Sequence, residues 1–189
     1  MVEFDQSITW RALEERLART ANPRHRKMLE TVAAHGKAEA AGSVEDLMRT
    51  LNDDPQYHFW VNGHDYGPKG YDAIKKYYEG FIASGAGFFE SHKPRIVVDD
   101  ANVVTECEMR QLVPGSLAIE RGYQVPDPDG HYVISIRTLV LWPFDEEGRL
   151  IGEDAYNSSD KAFEQVPEEE LPAEYLAMLA AIGKAPAAR

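Results

Sequence analysis

The 189-residue chain has a single cysteine, Cys107. It cannot form an internal disulfide, so nothing in its cysteine usage points to an oxidising compartment, and a cytoplasmic setting is the expectation. The thiol itself reads as a small buried hydrophobe. No apolar run approaches the roughly 20 residues of a membrane span, and acids and arginines interrupt residues 1–16 where a signal peptide needs an apolar core. No membrane partner is expected. Positive charge is also scarce: Lys and Arg number 20 against 32 Asp and Glu, for a net charge of -12. Such a surface disfavours nucleic acid as a partner. Residues 145–174 carry eleven acids against Arg149 and Lys161, which reads as a solvated acidic surface.

Several chemical signatures are missing too. No strand is followed by GxGxxG or GxxxxGK[ST], so no nucleotide cofactor is expected. There is no GxSxG elbow, and adjacent Ser91 and His92 point to opposite faces of a strand. His58, His64 and His92, even with Asp65 or Glu106, match no closed zinc spacing, so no metal is expected.

The most patterned stretch is residues 56–81. Aromatic and β-branched residues at 57–61 predict a strand, and Asn62-Gly63 and Gly67-Pro68 predict a turn and loop. Ile74, Tyr77, Tyr78 and Phe81 then share one face of a helix that Pro68 can open. Before this stretch, the spacing predicts helices from residue 8 to about 20, over 23–41 and over 44–52. After it, period-two runs predict strands at 88–98, with a break or bulge near Pro94, and at 103–113, 132–142 and 149–156. Residues 116–123 are expected to form a further short strand. A last short helix follows Pro172, and the ending GKAPAAR is expected to fray. Helices first and strands afterwards make an α+β arrangement in one domain.

That order resembles the SnoaL-like branch of the nuclear transport factor 2-like superfamily, with its ketosteroid-isomerase-like and scytalone-dehydratase-like members. The residues carrying the resemblance are GSVEDLMRTLNDD, QYHFWV, GHDYGPKGYDAIKKYYEGF and HKPRIVVDDANVVTECEM. It covers residues 23–160, leaving 1–22 as an N-terminal helical extension and 161–189 as an acidic segment with a short helix. The resemblance implies an α+β cone, in which a curved antiparallel sheet wraps around the N-terminal helices and leaves an internal apolar pocket. It also implies a homodimer through the outer sheet face.

Within such a cone His92 is the first candidate for moving a proton, since its ordinary pKa lies near operating pH. The partner strand offers Glu106 and Glu108 on one side and Cys107 on the other, so Glu106 or Glu108 could pair with His92; both glutamates facing water or a dimer partner is the competing reading. Asp154 on the last strand is a further candidate acid or base. On the central strand either His58 and Trp60, or Tyr57 with Phe59, face the pocket. The resemblance implies a substrate-orienting role for Tyr57. Trp60, Tyr78 and Phe88, with His58, are expected to line the pocket. The function expected is cofactor-free proton transfer of dehydratase, isomerase or cyclase type on a small apolar polyketide-, terpenoid- or steroid-like molecule. A non-catalytic ligand-binding or dimerisation module is the alternative.

Overall fold

Alternating burial along the strands, punctuated by glycine and proline turns, generates one sheet with helices laid in its hollow. A computed structural model describes residues 2–158 and 162–184. In chain order the helices are α1 (Ile8–Ala18), α2 (Pro23–Ala41), α3 (Val44–Arg49), α4 (Tyr71–Ser84), α5 (Gly115–Glu120) and α6 (Ala173–Ala181). The strands are β1 (Leu51–Val61), β2 (His64–Asp65), β3 (Phe89–Val98), β4 (Asn102–Pro114), β5 (His131–Pro143), β6 (Leu150–Asn157) and β7 (Ala162–Val166). They form a curved, unclosed sheet ordered β2-β1-β6-β5-β4-β3. β6 lies along residues 138–141 of β5 and β7 along residues 131–135. The pairs are antiparallel except β1 with β6, which is parallel. Gly152 permits that closure, because a Cβ there would lie 2.0 Å from the Gln56 carbonyl oxygen.

The expected α+β cone is thus present, with local differences that have physical causes. Asn22 caps α2 as its side chain accepts from the Arg24 and His25 amides, and Pro23 takes the first helical position. α4 starts at Tyr71 rather than Pro68 because the preceding loop pairs with β1: Tyr57 N–H donates to the Pro68 carbonyl and Gly70 N–H to that of Pro55. β1 begins earlier than expected, at Leu51, and four residues at 52–55 bulge from its pairing with β6. The strand expected over 116–123 is instead α5, whose Leu117 and Ala118 pack with Val113, Tyr123 and Ile134. Residues 185–189 of the expected frayed ending lie outside the described residues.

At the core a linear hydrogen-bond chain joins four elements. Tyr57 on β1 meets Tyr78 on α4 at 2.8 Å, Tyr78 meets His35 Nε2 on α2 at 2.8 Å, and His35 Nδ1 meets Thr50 Oγ1, just past α3, at 2.7 Å. Thr50 Oγ1 also lies 2.6 Å from the Leu47 carbonyl. Only one orientation gives every proton an acceptor: Tyr57 donates to Tyr78, Tyr78 to Nε2, Nδ1–H to Thr50 and Thr50 to Leu47. Burial pushes the His35 pKa down to about 3, which keeps the ring neutral as this orientation requires.

The direction of the chain sets the ranking of two substitutions. Tyr78→Phe strands both the Tyr57 hydroxyl and the His35 nitrogen, each buried, and should cost about 1–3 kcal/mol per stranded group. Tyr57→Phe removes only the terminal donor and should cost about 1 kcal/mol. Urea denaturation of the two variants checks this, and equal losses would contradict the assigned direction.

Candidate functional site

The concave side of the sheet encloses a cavity of about 400 Å³, within the range that holds small organic ligands. Its walls are largely apolar, including Phe59, Phe81, Phe89, Met109, Ile136 and Trp142. Helix α1 contributes Thr9 and Leu13, so the N-terminal segment forms part of the wall. Tyr77 and Asn157 are the exposed members of the lining and lie at its opening to solvent.

Glu39 from α2, Lys93 from β3 and Glu153 from β6 enter this apolar space, which Tyr77, Cys107 and Arg121 also line. Glu39 extends the face of α2 that carries Val32 and Gly36, at helical spacings of four and three. Burial pushes its carboxyl up to about 7, with the charge of Lys93 pulling the other way. Glu153 is raised well above the ordinary carboxylate range, first by burial and then by the negative charges of Glu39 and Asp154. Lys93 is 8% exposed, and burial lowers its pKa, opposed by Cys107 and Glu39. Its Nζ donates to the Thr9 carbonyl at 2.6 Å and, more weakly, to the Ser91 carbonyl at 3.4 Å. Beside them, the Tyr77 phenol is pushed up by burial and by the charges of Glu153 and Glu39 although part of the residue reaches solvent, and Arg121 donates to Gln111 Oε1.

A bulge in β3 places the lysine. His92 pairs with Glu108 and Arg95 with Glu106, so Lys93 and Pro94 together face Cys107. Proline suits that position because it has no N–H to give the ladder. Before the bulge the odd residues Phe89, Ser91 and Lys93 point into the cavity, whereas after it the even residues Ile96 and Val98 pack inward.

None of the eight residues expected at the site lines this cavity. His92 does come close to a carboxylate, at 3.6 Å from Glu108, but on the outer face with 64% of its side chain exposed. Glu106 lies on the same face, ion-paired with Arg137 and, at 3.4 Å, with Arg95. Asp154 shares that face opposite His58, whose Nδ1 lies 2.7 Å from Asp65. Trp60 stacks between His58 and Tyr156. Tyr57 and Tyr78 point inward but are consumed by the hydrogen-bond chain. Phe88 packs under α6 against Tyr175 and Leu112.

The physical reason is a one-residue offset on each strand. Alternation exchanges His92 for Lys93, Glu106 and Glu108 for Cys107, Asp154 for Glu153, and His58 and Trp60 for Phe59. One signal could have set the face: a buried Cys107 requires Glu106 and Glu108 to point outward, and Cys107 is 3% exposed. Glu39 could have been found by extending the apolar stripe of α2 two turns beyond Val32.

No family model matches the sequence, and no curated protein matches it. Solved structures do. A structure described as a SnoaL-like polyketide cyclase from Shewanella denitrificans OS-217 is 17% identical, covers 69% of this chain and 90% of its own, and superposes with a TM-score of 0.57. An NTF2-like protein of unknown function from Burkholderia xenovorans LB400 is 18% identical, with coverages of 78% and 93% and a TM-score of 0.51. The epoxide hydrolase/cyclase-like enzyme SalBIII, described in pyran ring formation in salinomycin, is 12% identical, with coverages of 71% and 92% and a TM-score of 0.51.

The raised carboxyl of Glu39 has a measurable linkage. Between the ordinary value of 4.5 and about 7 the folded protein holds a proton that the unfolded chain releases, so this group's contribution to stability falls as pH rises through that window. Neutral buried His35 contributes the opposite slope between about 3 and 6.5, so wild type must be compared with Glu39→Gln. The thermal midpoint of Glu39→Gln should gain on wild type between pH 5 and 8; a constant difference would contradict the assignment. The chain has the α+β cone fold shared by SnoaL-like and NTF2-like proteins.

Proposed function

We propose that the chain is a cofactor-free proton-transfer enzyme, of isomerase, dehydratase or cyclase type, acting on a small and largely apolar molecule. The observation that carries this reading is the convergence of Glu39 and Glu153 on one apolar cavity of about 400 Å³. Two carboxyls in different surroundings divide the work of acid and base. Glu39, at about 7, ionises near neutral pH and serves as the base. Glu153 holds its proton and serves as the acid. The apolar walls limit hydration, so that a carboxylate there meets a carbon acid with less of the hydration shell that weakens it in bulk solvent. Polyketide-, terpenoid- or steroid-like compounds fit the character of these walls. The polyketide cyclase and pyran-forming descriptions of structural neighbours support the substrate class by analogy of fold.

The same reading assigns a second copy of the chain to the outer sheet face. Tyr156 and Leu139 are 49% and 42% exposed there, beside the partly exposed Trp60. Light scattering should then report a dimer that Tyr156→Glu weakens.

A generic carbon acid tests the chemistry without knowledge of the natural substrate. The protein should accelerate the ring opening of 5-nitrobenzisoxazole with saturation, and the rate should rise with pH through an apparent pKa near 7. Glu39→Gln should lower that rate about 100-fold or more while remaining folded. Rates no higher than the buffer background, or unchanged in Glu39→Gln, would overturn the proposal.

A further inference from the structure

Acid–base work by the two carboxyls leaves the amine of Lys93 without a task. Its surroundings are unusual for a lysine. It is 8% exposed, yet among the described residues no carboxylate oxygen lies within 4 Å of its nitrogen, whereas buried lysines are normally ion-paired. Its hydrogen-bond partners are the backbone carbonyls of Thr9 and Ser91, at 2.6 and 3.4 Å. A neutral amine has two N–H bonds and one lone pair. Two carbonyls accept the hydrogens, and the lone pair is left for the cavity that the side chain lines.

We propose that Lys93 is a carbonyl-capturing amine that forms an imine with an aldehyde or ketone entering the cavity. The inference goes beyond the acid–base reading but uses its two carboxyls. Nζ adds to the carbonyl carbon, and the former carbonyl oxygen takes a proton from Glu153. The attached nitrogen gives one proton to the Glu39 carboxylate. The hydroxyl then leaves as water with that proton from Glu39, and the resulting iminium returns its last N–H proton to Glu153. Amine and carbonyl become imine and water, both carboxyls recover their starting states, and no oxidant or reductant is needed. Burial supports the neutral amine that the first step requires. The iminium, before it returns that last proton, is an electron sink, so capture would acidify the carbon next to the former carbonyl, the kind of proton that Glu39 is placed to remove.

Acetylacetone tests this directly, because its condensation with an amine gives a vinylogous amide with its own near-ultraviolet absorption. Wild type should acquire one such group per chain, and peptide mapping should locate it on Lys93. Lys93→Arg keeps N–H donors for the Thr9 carbonyl but cannot form the product, and it should show no absorption. Labelling confined to other lysines, no labelling, or undiminished labelling in Lys93→Arg would each overturn the proposal. The 5-nitrobenzisoxazole assay on wild type separates the two readings. Ring opening without the label removes the imine and keeps the acid–base pair, while the label without ring opening does the reverse.

Discussion

The cavity depends on the hydrogen-bond chain from Tyr57 through Tyr78 and His35 to Thr50. Apolar contact alone would draw α2 and α4 onto the sheet as closely as their side chains allow, because burial is non-directional. Hydrogen bonds have fixed lengths and directions, so the chain sets how far α4 and α2 stand from β1. Beside its two middle members the hollow begins: Tyr77 is next to Tyr78 on α4 and faces the cavity, as Gly36 does next to His35 on α2. The polar groups of this hydrogen-bond chain are satisfied among themselves, which leaves the cavity to a different set.

That second set works by the opposite principle. Among the described residues Glu39, Glu153 and Lys93 have no close ion-pair partner, in contrast to the outer face, where Glu106, Glu108, Arg95 and Arg137 compensate one another. Outside, charge is paired and chemically quiet. Inside, desolvation shifts each group toward its neutral form, the carboxyls up and the amine down. Maintaining such a site costs stability, and the large apolar clusters around Leu29 and Leu150 and beneath α6 offset that cost.

Most of the fold was legible because helix caps, turn residues and strand periodicity are local signals. Asn22-Pro23 and Ser43 mark helix starts, and the hairpin at residues 99–102 fixes the pairing of β3 with β4. The site was harder to read, because each relevant strand carries polar or aromatic residues on both faces. His92-Lys93, Glu153-Asp154 and the aromatic run at 57–60 look equally plausible in either orientation. Choosing the face needs long-range knowledge of what covers the sheet. α1 could not be assigned to the cavity wall from its sequence, because Thr9 and Leu13, which line the cavity, look like ordinary inward positions of an amphipathic helix. α5 was misread because six residues are too few to separate helical from strand periodicity.

The bulge at Lys93-Pro94 also has an evolutionary reading. Two residues of β3 stand opposite Cys107, so loss of either would restore regular pairing with β4 while His92, Arg95, Ile96 and Val98 keep the faces they have. Loss of Pro94 would leave the amine inside, and loss of Lys93 would put a proline in its place. A single codon deletion can therefore remove the interior amine without turning the rest of the hairpin inside out.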